Sequence, residues 1–383
     1  METLKLYYAD AFLREFDGRV LACRPDGKKW LVALDQTAFY PEGGGQPADH
    51  GTLGAAKVTD VQEKDGVIFH TCDKPLTEGE SVHGCIDWQR RFDHMQQHSG
   101  EHIVSGMLCA AYHCDNTGFH MGEGSVIIDY NADIPWEGVL EIEARANRYI
   151  WENHAFEALY PSAEELAALP YRSKKELTGQ VRITRFPEAD CCACCGTHVA
   201  ATGEIGLIKL LSAVSFRGGT RIEMACGAQA LALLNAAFDQ NRQVSQAFSA
   251  KITETGEAAR RMNELLSAQK YRMAGLEKRV FAGIAESYVN QGDVLHFEED
   301  LSAEGVRELA DAIADKCGGT AAVFSGGEGG YAYCLIARQG DLRQLGRDMT
   351  AALHGRGGGK PLCQQGRVQA AKGEIEAFFA GRK

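Results

Sequence analysis

The 383-residue sequence contains no apolar run approaching the roughly 20 residues needed to cross a bilayer. It therefore reads as a chain with no membrane partner. Nor does it open with the basic-then-apolar layout of a secretory signal, because METLKLYYADAFLREFDG is mixed and acidic. A cytoplasmic location is the resulting expectation. Positive charge is scarce as well: 40 Lys and Arg against 52 Asp and Glu leave a net charge of −12. That balance argues against broad, non-specific nucleic-acid binding. Internal repeats and low-complexity tracts are also missing.

What is present is ordinary globular composition, 45% apolar and 24% charged, in a chain long enough for two or three domains with cores of their own. Thirteen cysteines are spread through it without an export signal. In a reducing compartment most of these, including Cys23, Cys72, Cys85, Cys109 and Cys226, are expected to be buried small hydrophobes. The exception is the cluster Cys191, Cys192, Cys194 and Cys195. The charge is uneven too. Residues 242–280 hold eight Lys/Arg against four Glu, 8 − 4 = +4, and residues 343–372 hold six against one Asp, 6 − 1 = +5. Two such stretches on an acidic body can grip RNA at chosen places, or can be one solvated helix face and one loop.

The pattern predicts an α+β chain in four parts. Residues 1–85 alternate short apolar runs with turn signals such as Pro25-Asp26-Gly27 and Asp65-Gly66, which suggests a small β-barrel. Residues 86–228 read as an α+β domain, with helices over about 89–112 and 136–156 and strands near 125–130, 180–184, 208–214 and 221–225. Residues 229–288 form a helical arm, broken in two at Gly256; its heptad is too irregular to favour a coiled-coil seam. Residues 289–383 read as a small α/β domain with helices at 302–316 and 342–353, strands at 320–324 and 331–337, and a glycine-rich loop over 354–360. This C-terminal region is also the candidate surface for a homodimer.

The sharpest chemical signal is His98-Ser-Gly-Glu-His102. On a helix, residues four apart share a face, so two imidazoles can meet one metal ion. Glu101 precedes the second histidine, which is not the zincin order, so it is not cast as a general base. Cys191-Cys-Ala-Cys-Cys-Gly-Thr-His198 adds a second pair, Cys194 and His198, whose thiolate and imidazole are donors that zinc favours. A rival set exists in the CxxC spacings Cys191–Cys194 and Cys192–Cys195, though no separate CxxC completes a structural site. Cysteine-rich turns and unrelated helix histidines are the bland alternatives. A third stretch, Gly43-Gly44-Gly45, permits a sharp turn or a close backbone approach.

"DQTAFYPEGGGQPADHGTL", "DWQRRFDHMQQHSGEHIVSGML" and "CCGTHVAATGEIGLIKL", in this order, closely resemble the editing domain of alanyl-tRNA synthetases, and most closely the freestanding alanyl-tRNA editing proteins of the AlaX group. "RIEMACG", the helical arm and "GRGGGKPLCQQGR" resemble the DHH-associated C-terminal domain of that group's long form. The resemblance implies hydrolysis, in trans, of tRNA(Ala) carrying serine, and of its glycyl counterpart, at a zinc site. It matches His98, His102, Cys194 and His198 to the zinc motifs and Gly43, Gly44 and Gly45 to the glycine-rich motif. It implies a polar residue beyond the HxxxH helix that recognises the substrate hydroxyl, and Thr117 stands at about that distance. Arg356 and Lys360 in the glycine-rich C-terminal stretch become expected tRNA contacts.

The sequence departs from the commoner "HTGQH" and "CGGTH" forms at Ser99, Glu101 and Cys195. Glu101 is expected to face solvent, and Cys195 sets a second thiol beside the matched one. With only 34 residues ahead of Asp35, an editing enzyme is expected here and not a synthetase. Four ligands bound at once make a closed site. Either His198 moves away, or zinc orients the substrate amino group while a free water attacks. Two rival functions remain: a DHH-type phosphoesterase, whose DHH tripeptide is missing from this sequence, and a non-catalytic zinc-containing RNA-binding module.

Overall fold

A computed structural model describes residues 2–122, 124–173, 180–327 and 329–381. It is a mixed α+β structure in two compact units, residues 1–242 and 243–383. In the first unit, the strands β1 (Glu15–Asp26), β2 (Lys29–Leu34), β3 (Gly51–Leu53), β4 (Ala56–Lys64), β5 (Val67–Cys72) and β6 (Ser81–Ile86) pair in the closed order β1-β2-β5-β4-β3-β6. Alternation along β1 and β5 turns Phe16, Val20, Ile68 and Cys72 into a core shared with Val32, Leu34, Phe39 and Leu53.

The chain leaves this barrel directly into α1 (Trp88–Tyr112), whose N-cap Asp87 accepts the Arg90 amide and whose C-cap, His113, is left-handed. Nearly every residue of α1 from His94 to Leu108 is buried. A helix buried all round must satisfy its polar side chains internally. Accordingly Gln97 exchanges two hydrogen bonds with the Cys226 backbone, and Gln96 donates to the Glu204 carbonyl.

The helix packs on a four-stranded sheet. This contains β7 (Asn116–Met121), β8 (Val126–Tyr130) and, after α2 (Trp136–Trp151) and a smaller sheet of β9 (Glu157–Leu159), β10 (Ile183–Phe186) and β11 (Asp190–Ala193), the strands β12 (Ile208–Phe216) and β13 (Gly219–Cys226). The large sheet runs β12-β13-β8-β7 and the small one β9-β10-β11. Gly106 explains how closely β11 approaches α1: a Cβ there would collide with the Ala189 carbonyl and the Asp190 Cβ. Gly106→Ala is expected to cost about 1–3 kcal/mol by overpacking, measurable by chemical denaturation.

The first unit ends within α3 (Gly227–Phe248). The expected break at Gly256 falls instead at residues 249–254, where Ser249 takes φ of +50° and the Ser245 hydroxyl donates to the Ala250 carbonyl. Gly256 lies in the first turn of α4 (Thr255–Glu286), where the absence of a side chain is tolerated.

The second unit continues with β14 (Gly292–Glu298), α5 (Ala303–Cys317), β15 (Gly318–Gly327), β16 (Gly330–Ala337), α6 (Arg343–Ala352), β17 (Arg356–Lys360), β18 (Cys363–Val368) and α7 (Lys372–Ala380). Its sheet runs β14-β15-β16-β18-β17, with a separate apolar core on each face. The stretch expected as a glycine-rich loop is thus largely an edge strand. Its glycines fit because Cβ atoms at Gly357 and Gly359 would collide with the backbone of β18. No helix among the described residues is long and apolar enough to cross a membrane.

Candidate metal centre

Residues 98 and 102 fall one turn apart on the buried face of α1, as the helical period requires. The other half of the site follows β11. Alternation along this strand buries Asp190 and Cys192 on one side, and just past its end Cys194 is partly buried whereas Cys195 is exposed. The chain then turns at Gly196, where a Cβ would collide with the His98 ring and the Gln46 amide oxygen. The Arg182 guanidinium holds this turn by donating to the carbonyls of Cys194 and Gly196, at 2.9 and 3.0 Å.

His98, His102, Cys194 and His198 thereby come together, with one potential ligand atom from each lying within 4.8 Å of all the others. The Cys194 Sγ stands 3.5 Å from the His98 Nε2 and 3.6 Å from the His198 Nε2. Each imidazole is turned by a partner on its other nitrogen. The Nδ1 atoms of His98, His102 and His198 meet the Gln46 Oε1 at 2.8 Å, the Asp190 Oδ2 at 2.7 Å and the Ser99 Oγ at 3.2 Å. With Nδ1 engaged in all three, Nε2 is the nitrogen left to face the centre. Phe119 stacks on His98 at 5.1 Å, and Phe156 stacks on His198 at 5.1 Å, closing the flanks with apolar surface.

The electrostatics suit a cation. Burial pushes the Cys194 thiol up, but the His98 and His102 imidazoles and the hydrogen bonds from His102 and His198 outweigh it and hold the thiol well below its ordinary range. Burial disfavours charge on His102, yet Cys194 and the Asp190 carboxylate hold this imidazole well above its ordinary value. On His198 burial prevails and the pKa lies well below ordinary, which leaves that ring neutral. A thiolate, a neutral imidazole and a carboxylate-backed imidazole that releases its proton on binding form a donor set that could hold a metal ion.

The expectation for Glu101 changes. Glu101 is 3% exposed, not solvent-facing, and its Oε1 accepts from the Ser105 hydroxyl and the Asn116 amide. The HxxxH helix is buried on this side as well, so the carboxylate needs internal donors. Gly43, Gly44 and Gly45 do not themselves enter the cluster. Gly44 and Gly45 have φ of +61° and +89°, and a Cβ at Gly45 would collide with Phe119. The run closes the loop onto β7 and delivers Gln46 to His98. Gln46 also bonds Thr197, at 2.8 Å through its Nε2 and at 3.2 Å from the Thr197 amide.

Thr117 is exposed on β7, donates to the Asp129 carbonyl at 3.2 Å, and is not one of the four converging residues. Arg356 and Lys360 are exposed on β17 in the second unit. Gln46 and Asp190 were not anticipated. The polar residue ending the glycine run pointed to the first; no local pattern marked the second.

The profile of tRNA synthetases class II (A) matches residues 13–90, and that of the threonyl and alanyl tRNA synthetase second additional domain matches residues 181–223, which include Cys194 and His198. The alanyl-tRNA editing protein AlaX-L of Pyrococcus horikoshii is 28% identical, covering 97% of this chain and 96% of its own length. The alanyl-tRNA editing protein Aarsd1 of Danio rerio is 26% identical with the same two coverages. An alanine–tRNA ligase of Pyrococcus abyssi is 32% identical over 98% of this chain, which spans only 43% of that ligase. The chain is thus a relative, over nearly its whole length, of the alanyl-tRNA editing proteins of the AlaX long form.

Proposed function

We propose that the protein is a trans-editing hydrolase that deacylates tRNA(Ala) mischarged with serine, and also with glycine, using zinc held by His98, His102, Cys194 and His198. The observation that carries this reading is the convergence of four donors from segments almost 100 residues apart, each imidazole turned by its own partner. The donor set fits zinc: nitrogen and sulfur atoms only, with the thiol already inclined to ionise. Zinc bound there supplies a Lewis acid for an activated aminoacyl ester. The chain's own residues orient the donors through Gln46, Asp190 and Ser99, and flank them with Phe119 and Phe156.

Thr117 stands on β7 two residues before Phe119, which stacks on His98, and this nearness supports it as the residue that recognises the seryl hydroxyl. Its own proton is committed to Asp129, so its oxygen is left to accept. Alanine is then spared because, once bound substrate shields Thr117 from water, it leaves that acceptor without a partner. Thr117→Val is expected to lower the preference for seryl over alanyl ester by roughly tenfold in kcat/KM. Arg356 and Lys360, exposed on a glycine-rich edge strand, are assigned to tRNA phosphates.

The test is to incubate the purified chain with Ser-tRNA(Ala) and Ala-tRNA(Ala), with and without chelator. Loss of the seryl ester alone, abolished by chelation and restored by zinc, is the expected result. Equal survival of both esters at every zinc loading sinks the reading, and metal binding without turnover would favour the RNA-binding alternative.

A further inference from the structure

The three imidazoles of the cluster are not backed equally. His102 Nδ1 meets a carboxylate at 2.7 Å, His98 Nδ1 an amide oxygen at 2.8 Å, and His198 Nδ1 a hydroxyl at 3.2 Å. A carboxylate is the strongest acceptor of the three and makes the imidazole opposite it the best electron-pair donor. The carboxylate is itself fixed. Arg172 grips both its oxygens, Nε to Oδ1 at 2.7 Å and Nη2 to Oδ2 at 2.8 Å, and Asp190 is 8% exposed. The Ser99 hydroxyl is by contrast uncharged, and it also accepts the Val199 amide at 3.2 Å.

The supporting elements differ in the same sense. His98 and His102 lie in one buried helix, and His98 is further enclosed by Gly196 and Phe119. His198 lies in a stretch with neither helix nor strand.

We propose that Asp190, clamped by Arg172, is a positioning residue that makes His102 the anchoring donor of the cluster and leaves His198 as the donor that gives way to an outside ligand. The inference rests on the metal-binding reading above and decides between the two routes left open by a four-ligand site. It favours one in which His198 yields a position. It gives Asp190, Arg172 and Ser99 roles that no motif assigns.

The test uses the full chain loaded with cobalt as a spectroscopic probe and titrated with a competing chelator. His198→Ala is expected to keep one cobalt per chain, with affinity lowered by about tenfold or less and an altered visible spectrum. His102→Ala is expected to lose affinity by more than about a hundredfold. Asp190→Asn should lie between, weaker by roughly 10–100-fold, the usual range for the outer partner of a ligand histidine. Thermal unfolding of the metal-free variants, run alongside, separates loss of affinity from loss of fold. Ser99→Ala and Gln46→Leu leave the Arg172–Asp190 pair intact and carry the ranking independently, with Ser99→Ala expected to cost less. Wild-type affinity in Asp190→Asn, or metal lost from His198→Ala as fully as from His102→Ala, overturns the proposal. A wild-type chain that binds no metal overturns the reading of the site itself, a different outcome from a wrong ranking.

Discussion

Replacing Cys194 with alanine is expected to empty the cluster of metal and to slow seryl ester hydrolysis by about a hundredfold or more. Loss of an outer partner of a ligand histidine commonly costs 10–100-fold, so loss of a direct ligand should reach at least the upper end. Cys194 is also the only anionic donor among the four, and its ionisation is favoured by the imidazoles around it. The neighbouring thiols provide the control. Cys195, two residues past the end of β11, is exposed and is not among the four converging residues. Cys195→Ser should therefore retain metal and activity within about twofold, the small change usual for an exposed side chain without such a role. Metal content and initial rates of the two variants check this, and the reverse ranking would mean that the wrong thiol has been assigned.

Arg91→Met is expected to produce the largest loss of stability. Arg91 and Asp49 are both 0% exposed, and the guanidinium donates to both carboxylate oxygens and to the carbonyls of Ala11 and Ala38. Removing one partner leaves a buried charge uncompensated, at a cost of about 3–5 kcal/mol. For a unit of this size that lowers Tm by on the order of 10 °C. Asp49 lies three residues beyond Gln46, and Arg91 two helical turns before His98. The pair therefore fixes the glycine-rich loop against α1, and the variant should lose metal affinity as well as stability. The double variant Arg91→Met with Asp49→Leu should recover much of the stability, because neither charge then remains unpaired. Calorimetric scans of the metal-free proteins measure both effects. A single variant within 1 kcal/mol of the parent would refute the buried-pair account.

Much of the site is legible in local periodicity. The 3.6-residue period of α1 alone aligns His98 with His102, and Gly196 marks the turn that follows Cys194. Long-range partners are not legible in this way. The link between Asp190 and Arg172 depends on how a segment far from α1 packs beside it, and neither residue carries a local pattern that announces the other. Glu101 was misplaced for a related reason. Its position in HSGEH suggests an outer helix face, but α1 has tertiary neighbours all round. In the second unit the glycines of residues 354–360 suggest a loop, whereas close pairing with β18 turns them into an edge strand. The break in the arm similarly comes at Ser249 rather than at Gly256, since a glycine in the first turn costs a helix little.

The central claim is that one thiolate and three imidazoles, rather than a pair of CxxC cysteines, hold the metal. X-ray absorption at the zinc edge of the purified full chain tests it most directly. The expected spectrum shows one sulfur at about 2.3 Å and nitrogen donors at about 2.0–2.1 Å, with one zinc per chain. Two or more sulfurs in the shell, or no bound zinc, would contradict the account.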